Sequence, residues 1–463
     1  MRYGLFLAAM LVAALAAIVR PAYSPKEPAA PAAAAGEVPA RLDTALAGRF
    51  AWRSLPGVSV AVIRKGVPPI LWTAGRADLL TGRPVTPQTP FEGASLSKPL
   101  TAYAAARLAR QGRLDLDAPI SRAGHTFTLR QALSHTAGFD NALSDHPEPT
   151  GPAGRFAYAG AGFQFVGQAI EAATGQTFAD HMNREVLPAL GMTHSRFGGP
   201  QPADLARPSV DVALPFAVAA LVAAVVGLPL LGGHAHFVRL ARPRRRALRT
   251  WPPRLIVAAA LAAGIGATAR MAGPANPAIA AAVAALVAVA GAAAILAARR
   301  GAWPKLSAAA LALAVVATLA LRPPLPMALR KPTALPAAGL ITTPQDYARF
   351  LHELIDPQTI DPAIAAEMLK PLVRANATNA WGLGVGLQTQ PQPAVWHWGL
   401  NYPGYQALAV AWPRTGDVMV VMTNGGAMSL APGGYRQSGL ELARGAVVAV
   451  EGGPQGTFWA GLP

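Results

Sequence analysis

A mixed α/β (α+β) fold interrupted by about four transmembrane helices is what this 463-residue sequence predicts. Three observations carry the prediction. Short runs rich in β-branched residues, bounded by Gly and Pro, occur on both sides of the middle of the chain. Amphipathic runs with recognisable helix starts and stops accompany them. Four apolar runs without a charged residue occupy most of 206–330.

The elements follow in order. MRYGLFLAAMLVAALAAIVRPAYS has a basic start and an apolar stretch over 3–19, and residues 1–20 read as a signal peptide or N-terminal membrane anchor. Residues 21–40 are rich in Pro and Ala without hydrophobic periodicity, which predicts a linker. From 41 to 205 the pattern is soluble and α/β. GVSVAVIR (57–64) and PILWTAGR (69–76) predict a strand pair around KGVP, a Gly/Pro turn between β-branched runs. SKPLTAYAAARLARQG (97–112) predicts a helix with Leu100, Ala104 and Leu108 on one face and Gly112 as its stop.

Composition then shifts. The runs 212–233, 255–269, 278–298 and 306–321 hold no charge. The first and third are long enough to cross a hydrocarbon core, and the second and fourth need Arg270, Lys305 or Arg322 to snorkel. With the basic N-terminus inside, residues 21–211 lie outside, the Arg-rich loops lie inside, and the chain returns outside near 323. An even number of inserted spans leaves residues 41–205 and 331–463 on one side. The expected location is therefore a bacterial inner (plasma) membrane, multi-pass, with the outer domain facing the periplasm.

After 331 the soluble pattern resumes. LPAAGLITTPQDYARFLHELI (335–355) offers a helix start at Thr343-Pro344. WGLGVGLQTQ, GYQALAVAWP and GDVMVVMTN are strand candidates, the last two a hairpin around PRTG, and a closing helix runs to Val448.

The absence of cysteine excludes disulfides, thiolate nucleophiles and Cys-ligated metals. The net charge of +17 raises nucleic-acid binding as a reading. Its distribution argues against it. The loop 234–254 holds seven arginines and no acid, and RRGAWPK (299–305) adds three more cations, so over half of the excess lies in two loops between apolar runs. A lipid bilayer fits that pattern better than nucleic acid. His234 and His236 lack a third ligand nearby and no His-Glu-x-x-His occurs, so neither a metal nor a cofactor is called for.

Chemistry points to ASLSK. The chain has 34 arginines and only six lysines, so a Lys at 98 asks for a reason. Arg keeps its proton in proteins, whereas burial and neighbouring positive charge can make Lys neutral. Ser95 and Lys98 form the chain's only S-x-x-K, at a helix mouth. That spacing sets both side chains on one face, where a neutral amine can take the hydroxyl proton. Pro99 is tolerated in a first turn, whose N–H groups lack partners.

The text around this motif resembles the β-lactamase-related serine hydrolases: class C β-lactamases, DD-peptidases and family VIII esterases. FEGASLSKPLTAYAAARLARQGRLDLDAPI is similar to that family's nucleophile helix, TLRQALSHTAGF to its His-Thr-Ser-Gly segment, and FAYAGAGFQFVGQAIEAATG to its tyrosine loop. HWGLNYPGYQALAVAWPRTGDVMVVMTNG resembles its final strands. The resemblance covers 41–205 and 331–450, leaving 206–330 as a four-helix insertion. It implies a β-lactamase/transpeptidase-like antiparallel sheet with flanking helices beside an all-helical subdomain. It also implies Ser95 as nucleophile, Lys98 and Tyr158 as its proton shuttle, and His397-Trp398-Gly399 as the third motif on an edge strand. The amides of Ser95 and Leu400 would then form the oxyanion hole.

Two departures bear on the substrate. Tyr-x-Asn reads Tyr158-Ala159-Gly160, and the family's lysine is His397, a titratable partner for a substrate carboxylate. Both weaken a β-lactamase assignment. The expected activity is hydrolysis, through an acyl-enzyme, of esters or D-amino-acid (peptidoglycan-type) peptides. The alternatives are a receptor acylated by a β-lactam or wall fragment without efficient turnover, and a β-lactamase. His135 reads as a helix-end cap, Gly404 as a turn residue and Asn401 as a polar contact. Trp398 and Tyr405 either line the cleft or pack.

Overall fold

The computed structural model describes residues 33–53, 55–122, 124–141, 147–211, 324–326, 333–390, 392–401, 404–425, 428–431 and 434–452. Two compact units are distinguished. One comprises Met1–Ala22, Val210–Ala328 and Met428–Arg436, whose described residues include the strands Pro324–Pro326 and Met428–Ala431. The other comprises Tyr23–Ser209, Leu329–Ala427 and Gln437–Pro463, and holds every element discussed below.

Its centre is an eight-stranded sheet. The strands in chain order are β1 (Gly57–Ile63), β2 (Ile70–Gly75), β6 (Val373–Arg374), β7 (Asn379–Trp381), β8 (Gly386–Gln388), β9 (Ala394–Asn401), β10 (Tyr405–Trp412) and β11 (Asp417–Thr423). In space the order is β6-β7-β8-β9-β10-β11-β1-β2, with each neighbouring pair antiparallel. The predicted pair β1–β2 forms, with Gly57 opposite Gly75. The β10–β11 hairpin turns through Gly416 at a φ of 78°. β1 lies against β11, Val60 opposite Val421, so early and late strands share one sheet as expected.

Helices cover both faces, which is why these strands read as continuous apolar runs. Val58, Val60, Leu408, Val410, Met419 and Val421 face one core, with Leu42 and Leu46 of α1 (Val38–Arg53) and Val447 of α7 (Ser438–Glu451). Ala407, Ala409, Ala411, Val418, Val420 and Met422 face the other, under α5 (Pro344–Ile355). The alanines of β10 leave room for that helix. Its start is as predicted: the Thr343 side chain accepts from Asp346 N–H and Pro344 occupies the first turn. Beside the sheet, α2 (Ser97–Arg110), α3 (Leu129–Leu133), α4 (Gly162–Thr174) and α6 (Pro362–Met368) pack together through Leu108, Leu129, Phe163 and Ile364. A small sheet, in the order β3 (Phe91–Ala94), β5 (Leu340–Thr342), β4 (Arg196–Phe197), joins the two layers.

Three expectations need correction. The transmembrane part of the predicted fold, and with it the multi-pass inner-membrane location, is overturned: among the described residues no helix is long and apolar enough to cross a membrane. The longest, α1, has 16 residues. At 1.5 Å per residue it reaches about 24 Å against a hydrocarbon core of about 30 Å, and Arg41, Asp43, Arg49 and Arg53 interrupt it. The four apolar runs, the N-terminal stretch, His234 and His236 fall outside the described residues. The predicted linker, 21–40, also ends early, since Ala33 N–H donates to Val450 O at 2.7 Å and Val38 is fully buried. Finally, β9 is an interior strand rather than an edge, because the short strands β6 to β8 extend the sheet past it.

Ala409 is fully buried on the face that α5 covers. Ala409→Leu should destabilise the protein by about 1–3 kcal/mol through overpacking, measured by urea unfolding.

Candidate active site

Ser95 occupies the turn between β3 and α2. Leu96 N–H donates to Gly93 O and Lys98 N–H to Ser95 O, each at 3.0 Å, so the chain reverses within a few residues. The reversal puts Ala94 at a φ of 50°, in the left-handed region that a side chain disfavours. Such a conformation persists only where its surroundings enforce it. Ser97 does so: its hydroxyl donates to Ala94 O at 2.6 Å and accepts from Leu340 N–H at 3.0 Å, tying the turn to β5. Ser95 stays half-buried while Leu96, Ser97 and Lys98 are buried.

One helical turn on, Lys98 Nζ donates to Ser95 Oγ at 2.9 Å and to Ala337 O at 3.2 Å. Lys98 is 1% exposed, and burial lowers its amine from 10.5 to about 7. Near neutral pH about half of the amines are thus uncharged and can accept a proton. The Tyr158 and Phe163 rings lie 5.0 and 5.6 Å from Nζ, where their faces stabilise the ammonium formed when a proton arrives.

Tyr158 is carried on the loop before α4. Its ring stacks on Trp398 at 6.1 Å and lies against His135 at 4.4 Å. Its Oη is buried and forms no well-aligned hydrogen bond among the described residues, yet the Ser95 hydroxyl is near enough to pull the phenol down slightly. Burial has the larger effect and raises the phenol, so it stays protonated.

β9 forms the opposite wall. His397 is 1% exposed, and its Nδ1 contacts Trp398 O at 2.7 Å, a geometry in which Nδ1–H donates and Nε2 keeps a lone pair. Burial, reinforced by the positive charge of Lys98, lowers the imidazole to about 3. It is neutral at physiological pH, which differs from the titratable carboxylate partner expected of it. Gly399 is required by space: a Cβ there would lie 2.3 Å from Gly93 O. That approach brings β9 against the Ser95 turn, with half-buried Leu400 next in the strand. Asn401 Nδ2 donates to Glu92 Oε2 at 2.7 Å and Ala338 O at 3.2 Å, strapping β9 to β3.

The structure therefore brings Ser95, Lys98 and Tyr158 together and sets His397 and Gly399 beside them. Tyr405 is a packing residue, buried with its hydroxyl donating to Ala206 O, and Trp398 packs on Tyr158. Gly404 both turns and approaches closely, since its Cβ would lie 2.2 Å from Ser209 O. Sequence reasoning missed Ser97, the Ala94 backbone and Trp381, whose ring meets His135, Tyr158 and His397 at 5.0, 5.8 and 5.6 Å. Ala94 and Ser97 carried no signal beyond lying within ASLSK, and Trp381 none beyond opening the strand candidate WGLGVGLQTQ. A depression of about 210 Å³ lined by Pro371, Arg374, Asn379 and Thr389 lies along β6 and β7 and holds none of these residues.

An antiparallel sheet against a helical layer, with serine, buried lysine and tyrosine at their junction, defines the S-x-x-K class of serine hydrolases. Residues 42–437 match the family described as Beta-lactamase, and the chain belongs to that family. Among its relatives, Esterase EstB of Burkholderia gladioli is 29% identical over 252 residues, 45% of this chain and 64% of the esterase. Protein flp of Staphylococcus aureus is 23% identical over 188 residues, 34% of this chain and 38% of that protein. The chain thus spans less than two-thirds of the length of these curated relatives. Among solved structures, D-amino acid amidase from Ochrobactrum anthropi SV3 superposes with a TM-score of 0.56 at 17% identity, covering 89% of this chain and 98% of the amidase. D-alanine carboxypeptidase AmpC from Burkholderia cenocepacia gives 0.57 at 16%, covering 90% and 99%. At these identities they share the fold.

Gly399→Ala should push β9 away from Gly93, lowering stability by about 1–3 kcal/mol. It should also slow labelling of Ser95 by a fluorophosphonate probe, followed by intact-protein mass spectrometry.

Proposed function

We propose that this chain hydrolyses carboxylic esters through an acyl-enzyme on Ser95. The observation that carries this reading is the buried Lys98 amine at 2.9 Å from Ser95 Oγ, lowered to about 7. In the first step Oγ bonds to the ester carbonyl carbon while its proton passes to Lys98. The carbonyl electron pair moves to oxygen, held by the amides of Ser95 and Leu400. Collapse of the tetrahedral intermediate breaks the bond to the alkoxy oxygen. The departing alcohol takes its proton from the Tyr158 hydroxyl, which recovers one from the Lys98 ammonium. A water then attacks the acyl carbon, gives its proton back along the same route, and releases the acid with Ser95 restored. Because the phenol is held protonated, Tyr158 relays protons and Lys98 is the base.

Esters lacking a free carboxylate fit the site better than D-amino-acid peptides ending in one. No cation is offered by the third motif, since His397 is buried and neutral. Gly160 stands where the family's tyrosine motif has an amide. We assign His397 instead to packing beside Tyr158, with ring centroids 6.2 Å apart and its Nδ1 held on Trp398 O. Similarity to an esterase agrees with this reading.

The test is steady-state hydrolysis of p-nitrophenyl acetate with mass-spectrometric capture of the adduct. Ser95→Ala should abolish both, and an adduct elsewhere would overturn the proposal. Lys98→Arg, a permanent cation, should lower kcat/KM by about 10²–10⁴-fold. In the unsubstituted protein kcat/KM should fall about tenfold per pH unit below about 7, because the charged amine cannot accept a proton, and level off above it. A profile flat from pH 5 to 9 would remove Lys98 from the role.

A further inference from the structure

His135 lies at the end of α3, is 1% exposed, and has a φ of 58°. It does not reach the cleft. Its own N–H closes the helix end on Ala132 O at 3.3 Å, and its two acceptors take the residues that flank Tyr158: Ala157 N–H donates to His135 O at 2.8 Å, and Ala159 N–H donates to His135 Nδ1 at 3.0 Å. Its ring lies against the phenol between them, with centroids 4.4 Å apart. Gly154 N–H to Thr136 O, at 2.7 Å, ties the same two segments a second time. The left-handed backbone allows one residue to present its carbonyl and its side chain to the same loop. Histidine, with asparagine and aspartate, is among the residues that tolerate that conformation. An Nδ1 that accepts is a lone pair, so the proton sits on Nε2 and the ring is neutral. Burial and the charge of Lys98 favour the same state.

We propose that His135 is a positioning residue for Tyr158: by holding the amide on one side of the tyrosine with its carbonyl and the amide on the other with Nδ1, it sets the phenol over Ser95 and Lys98. This goes beyond the helix-end cap expected from sequence, and it rests on the ester-hydrolase reading above. A plain capping residue would affect stability. A positioning residue affects turnover through Tyr158 alone.

The experiment compares kcat for p-nitrophenyl acetate in the full-length protein, its His135→Asn and His135→Gly variants, and both changes in a Tyr158→Phe background, with thermal melting of each. Asn carries Oδ1 on Cγ, as His carries Nδ1, so it keeps the acceptor. Gly removes the acceptor while easing the positive φ. His135→Gly should lower kcat about 30- to 100-fold, on the scale of losing a proton-transfer group, with KM changed less than about threefold. His135→Asn should recover most of that loss. In the Tyr158→Phe background, His135→Gly should cost less than about threefold further, because the group it positions is already gone. Additive losses in the two backgrounds, or an Asn variant as impaired as Gly, overturn the proposal. Failure of the Asn variant to fold overturns it too, since the role would then be structural. If hydrolysis survives Ser95→Ala, the acyl-enzyme reading falls and takes this one with it. Loss on Ser95→Ala together with an additive cycle removes this one alone.

Discussion

Burial of the Lys98 amine against a hydroxyl is the constraint on which the site depends. An ammonium taken out of water without a countercharge is costly, and the cost is relieved by losing the proton. Its contacts among the described residues are uncharged: aromatic faces from Tyr158 and Phe163, a backbone carbonyl from Ala337, and the Ser95 hydroxyl, none of which is the carboxylate that would hold the proton against burial. The carbonyl comes from a segment 239 residues later in the chain. The chemical state of the amine is thus a product of long-range assembly.

That assembly runs through a few close contacts. β1 pairs with β11, and Ser97 links the turn after β3 to β5. Gly399 lets β9 pass against the Gly93 carbonyl, and Asn401 straps the same strand to Glu92. Together they press the Ser95 turn between a helical layer and the sheet, forcing Ala94 into a left-handed backbone. The strain sits one residue from the hydroxyl that reacts in the proposed chemistry, where rigidity of placement matters more than local stability.

The aromatic and imidazole groups behind the site form a second layer with a shared electrostatic character. His135 and His397 are both buried and both held neutral, and the charge of Lys98 contributes to each. A neutral surround keeps the amine from acquiring a carboxylate partner that would restore its proton. It also deprives the third motif of the cation that a carboxylate-bearing substrate would seek.

Much of this was legible in the sequence. The β1–β2 and β10–β11 hairpins follow from β-branched runs around Gly turns, and α5 from Thr343-Pro344, because these signals are local. Ser95 and Lys98 were readable from the S-x-x-K spacing and Tyr158 only through the family resemblance, but the neutrality of His397 was not, because it follows from desolvation and a neighbouring charge. The apolar runs that suggested membrane helices lie outside the described residues, among which no helix is long and apolar enough to cross a membrane. What the sequence determined by itself was the identity and order of the candidate site residues, since residue chemistry and motif order are written along the chain. Only tertiary structure decided their protonation states, the interior place of β9 and the double hold of His135 on Tyr158's neighbours, because burial and contact between distant segments exist only once the chain has folded.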